Sequence, residues 1–204
     1  MEKILSNEEI LILSKYGYVV LDGFLGLEHI HALQDEIIKL KKINVFHKAS
    51  IGKDSLKQIN ENIRSDSLAW VQDWNTNAAL KVYKNKISQL SSQLHQEFYL
   101  TLKSFEAHFA VYAPGEFYLK HIDQHKNSHE RQVSCILYLS SLYEGDGGEL
   151  VIYEKDDPRH VLDVISPKQG RLVVFFSSWL YHEVRPANKE RYSLTGWIRE
   201  DEEK

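Results

Sequence analysis

The 204-residue chain has a single cysteine, Cys135, set in an apolar run. No disulfide can form within it, which excludes a stapled secreted scaffold and makes a reducing compartment the expected setting. Long hydrophobic runs are missing too: none approaches the roughly 18 apolar residues that a membrane-spanning helix needs. The opening Met1-Glu2-Lys3-Ile4-Leu5-Ser6-Asn7-Glu8 is too acidic and too briefly apolar for a signal peptide. There is no surplus of positive charge either. A formal net charge of −4 gives no general attraction to nucleic acid or to an anionic membrane surface. Neither a repeat nor a linker-like stretch divides the chain. These absences lead us to expect one cytoplasmic, globular domain spanning residues 1–204, with no membrane and no nucleic-acid partner; the oligomeric state is left open.

What is present suffices for a core, since hydrophobic residues make up 43% of the chain. In the first half Ser6 and Glu9 form a capping box, and Gly17 is placed to stop the helix they begin. Tyr18 to Leu21 reads as a short strand. A second helix is expected from about Leu27 to Lys42, with Leu27, Ile30, Leu33, Ile37 and Leu40 on one stripe and the basic Lys39-Leu40-Lys41-Lys42 as a solvated end. Residues 43–62 lack periodicity, and a stretch that long without structure is usually functional or mobile. Leu80, Tyr83, Ile87, Leu90, Leu94 and Phe98 are spaced by three and four, which predicts a third helix with a buried face.

The second half changes period. Short strands are expected near 105–113, 117–123, 132–140, 148–153, 161–165, 171–176, 180–185 and 190–199, separated by turns such as Pro114-Gly115 and Gly145-Asp146-Gly147-Gly148. Cys135-Ile136-Leu137-Tyr138-Leu139 and Leu172-Val173-Val174-Phe175-Phe176 are apolar on both sides, so one sheet is covered twice, by an opposing sheet and by helices. The fold expected is an all-β core with a helical buttress: a double-stranded β-helix, or jelly roll, over 105–199, with helical support and entrance segments in 1–104.

Most of the ten histidines have bland explanations. His29, His31 and His95 lie on expected helices, and His47, His125, His129 and His160 lie in polar connections. His108, on a strand, reads as core or pocket lining. His121-Ile122-Asp123 differs, because residues i and i+2 of a strand point to the same side and aim an imidazole and a carboxylate at one place. Chance supplies roughly half an occurrence of this pattern in such a chain, but a late strand of the same β-region carries His182. A jelly roll brings early and late strands together. Two histidines and one carboxylate make a facial triad that leaves positions open and suits non-haem Fe(II) binding an organic chelator and O₂. Zinc favours a closed tetrahedral shell.

Arg191 begins the last strand, and parity puts Arg191, Ser193, Thr195 and Trp197 on one face with Tyr192, Leu194 and Ile198 on the other. An arginine pointing into a barrel needs an anion, because an unpaired buried charge costs several kcal/mol. The distal carboxylate of 2-oxoglutarate, gripped bidentately, meets that need, and Thr195 adds a hydroxyl from the same face.

The set His121-x-Asp123, His182 and Arg191 resembles that of the 2-oxoglutarate oxygenase superfamily. Further stretches resemble the prolyl hydroxylase domain enzymes, the hypoxia-sensing group and its bacterial relatives: Gly17 to Leu25, Ile63-Arg64-Ser65-Asp66-Ser67-Leu68-Ala69-Trp70, Cys135 to Leu139, Gly147 to Leu150, and Arg191 through Trp197. The resemblance implies hydroxylation of a prolyl residue in a protein or peptide, with release of succinate and CO₂. It implies Fe(II), 2-oxoglutarate and O₂, ascorbate as reductant, and no catalytic side chain beyond the metal ligands. By the same resemblance Tyr138 donates to the carboxylate that Arg191 holds, Tyr112, Leu150 and Trp197 wall the pocket, Arg64, Asp66 and Trp70 stand at the entrance, and 43–62 closes over the peptide. Two departures bear on the peptide: Ser65 replaces the family's usual glycine, and little chain follows Trp197 to form a C-terminal helix.

Three alternatives make different demands. A nucleic-acid demethylase of the same superfamily calls for a second arginine soon after the first, whereas here Arg199 is eight positions on. A small-molecule hydroxylase has no need of the Ile63–Trp70 segment. A non-enzymatic cupin-like metal binder has no reason to keep Arg191 and Thr195 on the inward face.

Overall fold

The computed structural model describes residues 3–49, 60–124, 129–142 and 145–201. Helix α1 (Asn7–Tyr16) starts at the expected capping box, in which the Glu9 amide donates to Ser6 Oγ at 3.2 Å and the Ser6 amide to Glu9 Oε2 at 2.7 Å. Gly17 ends it in a left-handed conformation (φ 80°), where a Cβ would also stand 3.1 Å from the Trp179 ring. Strand β1 (Tyr18–Leu21) follows, then helix α2 (Leu27–Lys42). Its buried stripe is Ile30, Leu33 and Ile37. Leu27, in the first turn, departs from the expected stripe and is 59% exposed.

Residues 43–62 were expected to lack regular structure. Their described part instead contains β2 (His47–Lys48), paired antiparallel with β3 (Ser67–Trp70). Residues 50–59, the centre of the proposed closing loop, lie outside the described residues. Helix α3 (Ala78–Phe98) is capped by Asn77, whose side chain accepts from the Ala79 amide, and it buries Leu80, Tyr83, Ile87, Leu90 and Leu94 as its spacing predicts. Gln93 of this helix holds the N-terminal segment through the Ile4 and Leu5 amides and the Leu5 carbonyl, at 3.0, 2.9 and 2.7 Å.

Eight strands complete the fold: β4 (Ser104–Tyr112), β5 (Tyr118–His121), β6 (Arg131–Tyr138), β7 (Leu150–Tyr153), β8 (Val161–Ile165), β9 (Leu172–Phe176), β10 (His182–Val184) and β11 (Arg191–Arg199). A seven-stranded sheet runs β1-β9-β6-β11-β4-β3-β2, and a four-stranded sheet runs β5-β10-β7-β8. Every named strand pair is antiparallel. From β4 onward the chain passes back and forth between the sheets, which is the expected double-stranded β-helix.

Strand parity sorts the large sheet into two environments. Phe105, Ala107, Phe109 and Val111, Val133, Cys135 and Leu137, Leu172, Val174 and Phe176, and Leu194 and Ile198 pack in one cluster with the buried faces of α2 and α3. The alternate positions Ala110, Tyr112, Ile136, Tyr138, Val173 and Phe175 pack between the sheets with Leu150, Ile152, Ile165 and Val184. Each fully buried leucine or valine stabilises the fold by roughly 1.5–3 kcal/mol, so the helix-facing layer is the main source of stability. Cys135 belongs to it; burial pushes its thiol pKa up and leaves it no reactive role.

Candidate metal centre and anion pocket

His121 ends β5, and His182 begins β10. The two are paired Cα to Cα across these antiparallel strands, so their imidazoles stand opposite each other. Each ring is oriented from behind: Nδ1–H of His121 donates to the Leu119 carbonyl at 2.8 Å and that of His182 to the Leu180 carbonyl at 3.2 Å. That leaves both Nε2 lone pairs free for a shared partner. Burial, reinforced by neighbouring His121, lowers the His182 pKa to about 4, so its imidazole is neutral near pH 7.

Asp123 stands two residues past the end of β5, which stops at His121 rather than continuing to 123 as expected. Strand parity therefore does not aim its carboxylate. Ser134 of β6 does, by donating Oγ–H to Oδ2 at 2.7 Å while sharing a 2.8 Å contact with Ser177 Oγ. Oδ1 is left 3.5 Å from His121 Nε2 and 3.6 Å from His182 Nε2. Burial opposes ionisation of Asp123, but the two imidazoles and the Ser134 hydroxyl outweigh it and hold the carboxyl well below the usual range. The three donor atoms lie within 4.8 Å of one another. Two imidazole nitrogens and one carboxylate oxygen converging on one place suit a divalent cation held from one side.

Aromatic packing fixes the two histidines. Tyr118 stacks on His121 with centroids 3.5 Å apart and planes 12° apart, and Phe175 meets His182 edge-on at 4.7 Å. Arg64 lies over the other face of this arrangement, 4.2 Å from the Tyr118 ring. It is held there by a two-pronged ion pair to buried Asp66, at 2.8 and 2.7 Å, and by the β-bridge between residues 64 and 118. Ser65 joins the same strap: its amide donates to the Phe117 carbonyl, and its hydroxyl accepts from the Phe117 amide at 3.0 Å. Trp70, on β3, packs edge-on against His108 and beside Trp197.

Arg191 is 1% exposed, the bulkiest of the fully buried side chains. Nε donates to the Gly148 carbonyl at 3.0 Å, and the guanidinium lies 4.8 Å from the Tyr112 ring and 5.0 Å from Tyr138. Gly148 is needed for this approach: its φ is +75°, and a Cβ there would stand 3.1 Å from Arg191 Cδ. Among the described residues no carboxylate lies within ion-pair distance of the guanidinium. The Tyr138 hydroxyl, fully buried beside it, has no acceptor for its proton among the described residues. A buried cation and a buried phenol lacking an acceptor together call for a small anion. Ser193 and Thr195 follow on the same face, with their hydroxyls 3.2 Å apart. Leu150, fully buried, and Trp197 complete the walls.

The structure brings His121, Asp123 and His182 into one cluster and Arg191, Tyr112 and Tyr138 into another. Sequence reasoning missed Ser134, Tyr118 and Phe175, which position the ligands, and the part Gly148 plays under Arg191. Only Gly148 had a sequence signal, within the quoted Gly147–Leu150 stretch; the others take their roles from cross-strand pairing. Of the remaining tryptophans, Trp74 packs on Phe105 and Trp179 on Phe176.

Comparison with known proteins agrees with this geometry. The family model for the 2OG-Fe(II) oxygenase superfamily matches residues 107–199. A crystal structure of a Pseudomonas putida prolyl-4-hydroxylase shares 33% identity with a TM-score of 0.83, over 95% of this chain and 98% of that one. A prolyl hydroxylase from Trichoplax adhaerens, solved in complex with a hypoxia inducible factor oxygen degradation domain peptide fragment, shares 25% identity with a TM-score of 0.82, over 95% of this chain and 88% of that one. Egl nine homolog 1 of Rattus norvegicus is 27% identical over 94% of this chain and 58% of its own length. The chain spans about half the length of the first curated relatives it matches. With the His–Asp–His cluster and a buried arginine that has no carboxylate partner among the described residues, the chain belongs to the 2OG-Fe(II) oxygenase superfamily, in its prolyl hydroxylase domain branch.

Proposed function

We propose that this protein is an iron- and 2-oxoglutarate-dependent dioxygenase that hydroxylates a prolyl residue of a protein or peptide. His121 and His182 hold Fe(II) through Nε2, and Asp123 holds it through Oδ1. Arg191 grips the distal carboxylate of 2-oxoglutarate, Tyr138 donates its unpartnered O–H to the same group, and Thr195 adds a hydroxyl. Tyr112, Leu150 and Trp197 wall the pocket. Arg64 and Asp66 neutralise each other at the entrance and steady Tyr118, and through it His121, while Trp70 extends the aromatic rim toward the peptide. The observation that carries the reading is the fully buried Arg191 guanidinium beside the unpartnered Tyr138 hydroxyl, which a small dicarboxylate satisfies together.

When bound, the iron supplies activation of O₂ at the expense of 2-oxoglutarate, which leaves as succinate and CO₂ while the second oxygen atom enters the substrate as a hydroxyl. The chain's own work is to orient and to exclude. Nδ1–carbonyl bonds fix the tautomers of the two histidines, Ser134 turns Asp123 inward, and Arg191 sets the depth to which the co-substrate enters. Leu150, Ile152, Val173 and Phe175, all fully buried, keep water from the space between the sheets. No other side chain is needed to move a proton. Ascorbate, as the reductant that keeps the iron ferrous, a cytoplasmic location and a single domain over 1–204 belong to the same reading. It is supported by the likeness to the Pseudomonas putida and Trichoplax adhaerens enzymes.

The test is succinate release from 2-oxoglutarate with Fe(II) across a panel of proline-containing peptides, with mass spectrometry of the products. A gain of one oxygen on proline is expected. Turnover confined to free amino acids or nucleic acid sinks the prolyl assignment, and no succinate under any condition sinks the oxygenase.

A further inference from the structure

One buried polar group between the sheets has no part in the arrangement above. His108 lies on the inward face of β4, in register with Thr195 on one side and Trp70 on the other. It is 3% exposed, and its Nδ1 has no hydrogen-bond partner among the described residues. The ring is set between two tryptophans, with centroids 4.9 Å from Trp70 and 5.4 Å from Trp197. The indole N–H of Trp197 is likewise buried and unpartnered. Both nitrogens belong to the inward-facing row, and an imidazole nitrogen left unbonded in the interior costs on the order of 1–3 kcal/mol. A molecule bound against this row can supply that partner.

Register gives the partner's position. Along β4 the inward residues are Glu106, His108, Ala110 and Tyr112, opposite Trp197, Thr195, Ser193 and Arg191 of β11. Trp197 is also opposite Ser134, the residue that holds Asp123, so this end of the row is the metal end. Arg191 and Tyr112 mark the other end, where the distal carboxylate goes. His108 stands one step in from the metal end. We propose that His108 binds the head group of the 2-oxo acid, its Nδ1 hydrogen-bonding an oxygen of the 1-carboxylate or the 2-oxo group, with the Trp197 indole N–H alongside. This rests on the 2-oxoglutarate reading above. Burial, and after it the charges of Arg64 and Arg131, lower the imidazole pKa to about 3. The ring is therefore uncharged near neutral pH and lends a directed hydrogen bond rather than a second cation.

Calorimetric titration of 2-oxoglutarate into the Mn(II)-loaded full-length protein tests this without turnover. Three variants are compared: His108→Leu, which removes the nitrogens; His108→Asn, whose amide reaches the place of Nδ1; and His108→Gln, whose amide reaches the place of Nε2. The expected result is a loss of about tenfold in affinity for His108→Leu and His108→Gln, with His108→Asn within about threefold of the parent and Mn(II) affinity unchanged throughout. If His108→Leu fails to fold, the Asn–Gln pair still decides. Equal affinity of Asn and Gln, or parental affinity of all variants, overturns the proposal, as does a loss confined to peptide binding. Failure of the underlying reading looks different: the parent itself does not bind 2-oxoglutarate, or Arg191→Met binds it as well as the parent does.

Discussion

On the helix side of the seven-stranded sheet, Phe109, Cys135, Leu137, Val174 and Leu194 are buried in a continuous apolar layer against α2 and α3. One residue along the same strands, the opposite face presents His108, Tyr138 and Trp197 with unpartnered polar atoms, and Arg191 with no carboxylate among the described residues. The helix-facing layer also buries one unpartnered hydroxyl, that of Tyr83 on α3, but among the described residues the inward face of the sheet concentrates such groups. Apolar burial needs no ligand to be favourable, whereas the inward polar groups were desolvated without full compensation and recover it only when something binds. Stability and binding are therefore separable by the parity of a strand position.

The largest effect that tests this division is on the helix-facing side. Leu137→Ala removes a fully buried side chain from the helix-facing cluster and is expected to cost about 2–5 kcal/mol in denaturant unfolding. Calorimetry on the folded fraction should find 2-oxoglutarate affinity unchanged. A variant that keeps its stability but loses the ligand would show that the two faces are not independent.

Arg191→Met tests the other side. Affinity for 2-oxoglutarate should fall by about a hundredfold, or roughly 2.7 kcal/mol, through loss of the charge-assisted grip. The ligand-free thermal midpoint should stay level or rise, because an apolar side chain of similar length replaces a buried cation without a counter-ion. A fall in midpoint as deep as that of Leu137→Ala would erase the contrast.

How much of this contrast was legible in the sequence depends on whether a feature is periodic. The i, i+3, i+4 spacing of Leu80 to Phe98 and the parity of Arg191 to Ile198 are local regularities, and both recur in space as read. Strands β2 and β3, of two and four residues, are too short to have a period, and only the pairing of β3 with β4, and of β2 with β3, makes them part of the sheet. The aim of Asp123 depends on Ser134, eleven residues on in another strand, whereas the strand expected to aim it ends at His121. Unsatisfied groups such as His108 Nδ1 are defined by what does not surround them, and no one-dimensional pattern records that.

Ser134→Ala sharpens the point on a smaller scale. It deletes the 2.7 Å bond that turns Asp123 toward the histidines while leaving every proposed ligand in place. Mn(II) affinity, followed by electron paramagnetic resonance, is expected to drop by about tenfold, within the range found for groups that orient metal ligands. An unchanged affinity would mean that the turn after β5 alone aims the carboxylate.

The smallest effect belongs to neither face. Asp22, just past β1, accepts from Arg171 Nε at 2.6 Å and from Lys168 Nζ at 2.9 Å, tying the β1 turn to the turn before β9. Arg171 foremost lowers its pKa to about 2 against the opposing effect of burial, with Lys168 helping. A carboxyl whose folded pKa lies below its unfolded value, about 4, contributes its stability above that value and loses it as pH falls through the folded pKa. The side chain is 46% exposed, so solvent screening limits the contribution to less than about 1 kcal/mol. The stability difference between the parent and Asp22→Asn should accordingly be flat above pH 4 and shrink between about 4 and 2. A difference rivalling that of Leu137→Ala would place a main support of the fold at the sheet's rim instead of in its helix-facing layer.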